Sequence, residues 1–242
     1  MRKGAEAFQN RAVMNPFDGS PAGRVAIVTG GSRGVGERTT RRLAARGHAV
    51  VVNYLHDQHA AESTVEAVLA ENGAAVAVRA DVADELDVQR LFAETIETFG
   101  RVDVVVHTAG GRVTATAVAA LDLADFDALV RINTRATFVV NREAARHLRN
   151  GGAIVNLSSA ADSSSLPTYG LYAATRAATG VLTQALALEL RARDITVNAV
   201  AFELDRPCAP DRVADLVAYL LSNAGRRITG QVLQADDQIL RP

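Results

Sequence analysis

The chain has 242 residues, 48% of them hydrophobic and 22% charged. That is enough to bury a substantial core and too apolar for a disordered polyelectrolyte. A formal net charge of −1 argues against a dedicated nucleic-acid binder, the single cysteine Cys208 excludes a disulfide framework or a cysteine-based zinc cluster, and without a run of about 18 apolar residues no membrane span is expected.

Residues 1–23 have no clear period, no apolar signal core and a Pro/Gly/Asp/Ser cluster at their end. They read as a flexible tail or an oligomer-contact arm. From Arg24 onward, short β-branched runs alternate with helical stretches. Predicted strands are Val25–Val28, Ala49–Val52, Ala74–Val78, Val102–Val106, Ala153–Leu157, Ile195–Val200 and Gln231–Leu233. Predicted helices are Gly34–Arg46, Asp57–Asn72, Asp84–Phe99, Leu121–Asn150, Tyr169–Arg193 and Asp211–Ser222. Val65, Val68 and Leu69 recur at helical spacing, as do Leu86, Leu91 and Phe92. Glu71-Asn72-Gly73 is a stop signal. Strands that are apolar throughout imply burial on both faces. Residues 24–242 therefore read as one α/β domain, a doubly wound parallel sheet.

The first strand runs into Thr29-Gly30-Gly31-Ser32-Arg33-Gly34-Val35-Gly36, and a helix follows at once. Glycines let backbone approach a pyrophosphate closely, and a helix N-terminus offers free N–H groups to the anion. The T-G-x-x-x-G-x-G spacing resembles the short-chain dehydrogenase/reductase family, especially its ketoacyl-reductase-like members, and the resemblance runs from Arg24 to about Asp237. It implies a Rossmann-like fold and NADP(H) as cofactor, held by Gly30, Ser32, Arg33, Gly34, Val35 and Gly36, with Asn53 and Tyr54 ending the second strand. An NAD-preferring site would place Asp or Glu there. Asn53 has no charge to repel a 2′-phosphate, and Arg33 supplies it with a cation unless it is an ordinary solvated loop charge. Asp81 and Val82 match the family's adenine contact, and Ala109 and Gly110 are the small residues expected beside the cofactor. His107 and Thr108 depart from the family's Asn-Asn, and His107 reads as a hydrogen-bonded structural side chain rather than a catalyst.

The same resemblance assigns catalysis to Ser159, Tyr172, Arg176 and Asn133, with Tyr172 and Arg176 also binding the cofactor. Tyr172 and Arg176 share one helix face. Tyrosine is a plausible proton donor to a developing alkoxide, and a fixed cation beside a phenol favours its ionised form. Serine orients the carbonyl oxygen, and asparagine can hold a water. The family's lysine is missing: only Lys3 among the 26 basic residues is a lysine, and Arg176 stands in the motif. Arginine keeps the charge and can grip ribose hydroxyls, but it relays no proton. The stretch from Ala201 to Pro210 lacks the family's Pro-Gly turn and is too short for a helical lid. An open site is expected, or one closed by the tail or a neighbouring subunit. Phe202 suits either stacking on an aromatic substrate or plugging the core.

The expected activity is NADPH-dependent reduction of a ketone, bulky and cyclic or carrier-tethered. The alternative is a non-redox catalyst (dehydratase, cyclase or isomerase) or a non-catalytic partner with the same fold. No metal, nucleic acid or membrane enters either reading. The resemblance further implies a cytoplasmic homodimer or homotetramer joined through the two long middle helices.

Overall fold

The computed structural model describes residues 23–111, 115–159, 168–202 and 209–235. The tail expected at the N-terminus, except Gly23, lies outside them, as do Cys208 and most of the segment expected to replace a lid. Each predicted strand is present, with ends shifted by a residue or two: β1 Val25–Thr29, β2 Ala49–Tyr54, β3 Ala74–Arg79, β4 Val104–His107, β5 Ala153–Ser159, β6 Thr196–Phe202 and β7 Val232–Gln234. They form one seven-stranded sheet in the order β3-β2-β1-β4-β5-β6-β7, parallel throughout. The chain begins mid-sheet, winds to one edge, returns to the far side of β1 and winds to the other edge. The reversal falls between β1 and β4, where Thr29 pairs with His107, and a crevice opens beyond the strand ends at such a point.

Helices α1 (Gly34–Ala44), α2 (Gln58–Ala70) and α3 (Glu85–Phe99) alternate with the first strands. Side chains start two of them. Asp57 accepts from the Ala60 N–H at 2.9 Å and Asp84 from the Asp87 N–H at 3.0 Å, each offsetting an unpaired amide of the first turn. Helix α3 ends at Gly100, whose φ of 77° is the left-handed conformation favoured by glycine. Two apolar layers cover the sheet. One includes Ile27, Val51, Leu91, Phe92 and Ile154. The other includes Val28, Val50, Leu43, Val106 and Val217, the last from α7 (Pro210–Leu220). A fully buried side chain of this size contributes roughly 1.5–3 kcal/mol, which explains strands apolar on both faces.

The stretch Leu121–Asn150 is not the single helix expected. It divides into α4 (Leu123–Leu129), a π turn (Val130–Arg135) and α5 (Ala136–His147). Asn133 sits within the wider turn and is completely buried, drawn toward hydrogen-bond partners outside its own helix. π turns recur at functional sites, and apolar periodicity does not register them. Likewise Tyr169–Arg193 becomes α6 (Gly170–Glu189) followed by a 3-10 turn (Arg191–Arg193).

Candidate active site

The glycine loop leaves β1 with Gly30 at φ +62°, and Gly34 has φ +52°. A Cβ on Gly36 would stand 2.1 Å from the Gly30 carbonyl oxygen, so that contact admits only glycine. Arg33, the residue before α1, makes no side-chain cap, which leaves the first-turn N–H groups free of that partner and directed toward an anion's place. Thr108 Oγ1 donates to the Thr29 carbonyl at 2.6 Å, a stitch that the expected Asn-Asn pair would make differently. A pocket of about 420 Å³ lies against this loop, lined by Gly30, Ser32, Arg33, Asn53, Tyr54, Leu55, His56, Asp57, Ala80, Val82, Ala109, Gly110 and Ile132.

The expected cofactor residues divide over this geometry. Gly30, Ser32, Arg33, Asn53, Tyr54, Val82, Ala109 and Gly110 line the pocket. Gly34, Val35, Gly36, Tyr172 and Arg176 do not; the first three form the start of α1, and the last two lie on the helix that follows β5. Asp81 is engaged beside it, with Oδ1 accepting from the Ala83 N–H at 2.9 Å and Oδ2 from Arg131 at 2.7 Å. Asn53 is buried. Its amide donates to the Val78 and Ala80 carbonyls at 3.3 and 3.0 Å, so it ties β2 to the end of β3. Arg33 is not the free cation expected: it is ion-paired with Asp57, a pocket residue the sequence reading passed over. The sequence places Asp57 only at the start of a helix; its cap to Ala60 and its contact with Arg33 appear in the fold.

Beyond β4 and β5 the site rests on side chains. Tyr172 and Arg176 lie on α6, both buried, with Arg176 Cζ 5.2 Å from the centre of the Tyr172 ring. Arg176 Nη1 donates to the Leu157 carbonyl at 3.4 Å. A Cβ on Gly110 would fall 2.3 Å from Nη2, so the guanidinium lies directly against the cofactor-side loop. Its Nε is buried without a hydrogen-bond partner. A buried guanidinium is costly unless its N–H groups are paired. The glycine cradle, the uncapped start of α1 and the pocket against them fit a dinucleotide.

Asn133 works as a strut in this geometry. Its Oδ1 accepts from the Gly111 N–H at 3.1 Å, and its Nδ2 donates to Thr175 Oγ1 at 3.1 Å. Thr175 Oγ1 in turn donates to the Tyr172 carbonyl at 2.8 Å. The Asn133 carbonyl accepts from Thr137 Oγ1 at 2.5 Å, which supports the π turn. Deeper in the body, Asn141 and Asn156 exchange amide bonds of 2.8 and 3.1 Å, and Asn156 also donates to Thr183 at 3.1 Å. This polar seam between α5, β5 and α6 was missed; an asparagine inside an apolar strand was its one visible sign. Ser158 Oγ donates to the Arg176 carbonyl at 3.2 Å. Ser159 ends β5, and its side chain lies outside the described residues.

His107 is fully buried, with Nδ1 2.8 Å from Thr29 Oγ1. The Thr29 oxygen also lies in reach of the Thr108 and Ala109 N–H groups, at 3.2 and 3.4 Å. Burial, reinforced by the Arg176 charge, pushes the imidazole down to about 3. This neutral ring locks the ends of β1 and β4 together, the structural place expected for it.

Among the described residues no group of three or more His, Cys, Asp or Glu could hold a metal ion, and no helix is long and apolar enough to cross a membrane. The short chain dehydrogenase family model matches residues 24–203. A hydroxynaphthalene reductase-like protein of Metarhizium majus is 41% identical over 183 residues, 75% of this chain and 68% of the relative. Versicolorin reductase 1 of Aspergillus parasiticus is 40% identical over 180 residues, 74% of this chain and 68% of that protein. A short chain dehydrogenase of Burkholderia cenocepacia, solved in complex with NADP, superposes with a TM-score of 0.81 at 36% identity, covering 88% of this chain and 96% of its own.

Proposed function

The chain belongs to the short-chain dehydrogenase family and is an oxidoreductase, and from that premise we propose that it reduces a bulky ketone, cyclic or carrier-tethered, with NADPH. The observation that carries this reading is the buried Tyr172–Arg176 pair, whose guanidinium packs against Gly110, a residue of the glycine-loop pocket wall. The pocket wall supports dinucleotide binding, with Gly30 and Ser32 as the loop's contribution. When bound, the reduced dinucleotide supplies the hydride.

The protein's own residues supply the rest. Tyr172 donates the proton to the developing alkoxide, a step for which a positioned acid contributes typically 10²–10⁴-fold. Ser159 orients the substrate oxygen by hydrogen bonding. Arg176 offers a fixed positive charge beside the phenol ring, and its guanidinium is the group proposed to grip a ribose hydroxyl. Asn133 holds α6 in register with the Gly111 loop, and the water expected at Asn133 belongs to the same proposal. The relatives named for hydroxynaphthalene and versicolorin support a cyclic substrate. The proposal includes assembly as a homodimer or homotetramer, which exposed Phe138 on α5 and Val181 and Leu188 on α6 support.

The test is dinucleotide titration paired with ketone-dependent NADPH oxidation. The proposal expects both in the native protein, and loss of oxidation with retention of binding in Tyr172→Phe. Unchanged turnover in that variant refutes the assignment. A non-redox role draws on one observation: the guanidinium at Arg176, which relays no proton. NADPH binding without oxidation by any cyclic or carrier-linked ketone would select that role.

A further inference from the structure

We propose that Asp57 sets the cofactor preference of this site: by holding Arg33 it offsets the charge that would select a 2′-phosphate, so the protein accepts NADH nearly as well as NADPH. The inference rests on the dinucleotide reading above and concerns the pocket end beside β2. Two formally charged side chains line that pocket, Arg33 and Asp57, together with His56. Arg33 and Asp57 already form an ion pair with each other. Asp57 is not free to swing away. Its Oδ1 caps α2 through the Ala60 N–H at 2.9 Å, while Oδ2 takes the Arg33 guanidinium.

Asn53 brings no help to an anion, because its amide is spent on the Val78 and Ala80 carbonyls. A 2′-phosphate adds a charge of about −1.5 to −2 to a wall whose cation is already neutralised. It must share Arg33 with a carboxylate fixed on the same wall. A 2′-hydroxyl meets the reverse situation, since a carboxylate accepts its hydrogen bond. The Ala60 N–H, and after it Arg33, hold the Asp57 carboxyl below its usual range, so the acid is ionised across the neutral pH range. The uncharged end of β2 alone suggests a firm NADPH preference; the acid reached through the start of α2 reverses much of it.

The experiment uses the full-length protein with 2′,5′-ADP and 5′-AMP as probes, followed by calorimetric titration. The native protein should favour 2′,5′-ADP by no more than about threefold, and a native preference of about tenfold or more overturns the inference. Asp57→Asn keeps an oxygen for the helix cap and removes the charge. It should raise that preference by about fivefold to tenfold, the size of one screened charge interaction. Asp57→Ser should move it the same way, and Arg33→Ala should reduce it. A ratio unchanged within about twofold in both Asp57 variants, while the nucleotides still bind, overturns the inference and leaves the dinucleotide reading intact. No binding of either nucleotide by the native protein or any variant overturns that reading and the inference together.

Discussion

On the β2 side of β1, the crevice is built from backbone: left-handed glycines, a free helix start and a contact at Gly36 that tolerates no Cβ. On the β5 side it is built from side chains: Tyr172, Arg176, Asn133 and the asparagine seam below them. The first half is fixed by spacing and conformation, so its residues are replaced only at the cost of the loop itself. The second half is held by exchangeable hydrogen bonds and charges. There the Arg176 guanidinium is held by the Leu157 carbonyl, packs against Gly110 and lies beside the Tyr172 ring.

The largest effect is expected at Tyr172. Tyr172→Phe should lower kcat by about 10²–10⁴-fold with dinucleotide affinity little changed, as read by steady-state NADPH oxidation and fluorescence titration. That result would separate the chemistry of one half from the binding of the other.

The hinge between the halves is His107, and it should make stability fall in acid. The folded ring resists protonation until about pH 3, whereas in the unfolded chain it takes a proton below about 6.5. Stability is therefore unaffected by this group above pH 6.5 and declines by about 1.4 kcal/mol per pH unit from there toward pH 3. Urea melts across that range should show the slope, and His107→Asn should lose it. Identical slopes in the two proteins would contradict the buried, neutral assignment.

Gly36→Ala should cost about 1–3 kcal/mol by overpacking and remove dinucleotide binding while sparing the α6 geometry. Thermal melts and titration check the two parts. In the opposite half, Asn156→Ala and Asn141→Ala should each cost about 1–3 kcal/mol by stranding a buried amide. The double variant should cost clearly less than the sum, and additive losses would show that the two amides are not partners.

Much of this was legible in the sequence, for definite reasons. The strands are largely apolar on both faces, so Val25–Val28 and Ala153–Leu157 announce themselves, and the glycine string identifies the first crossover. Tyr172 and Arg176 follow from helical spacing. What the sequence hid are contacts that bridge elements. The π turn around Asn133 brings its side chain to Gly111 and Thr175 on other segments, partners that the sequence alone does not place beside it. In the sequence Asp57 only opens the predicted helix Asp57–Asn72, and the fold brings Arg33 to its second oxygen.

The most direct measurement compares Arg176→Met with the native protein in ketone-dependent NADPH oxidation and NADPH titration. If the guanidinium does the work of the missing ammonium, the variant binds the dinucleotide at least about tenfold more weakly and turns over at least about a hundredfold more slowly, since it loses both a charge-assisted hydrogen-bond donor and the electrostatic support of the phenol. Native-like binding and turnover in Arg176→Met would show that the buried charge beneath Gly110 takes no part in the reaction.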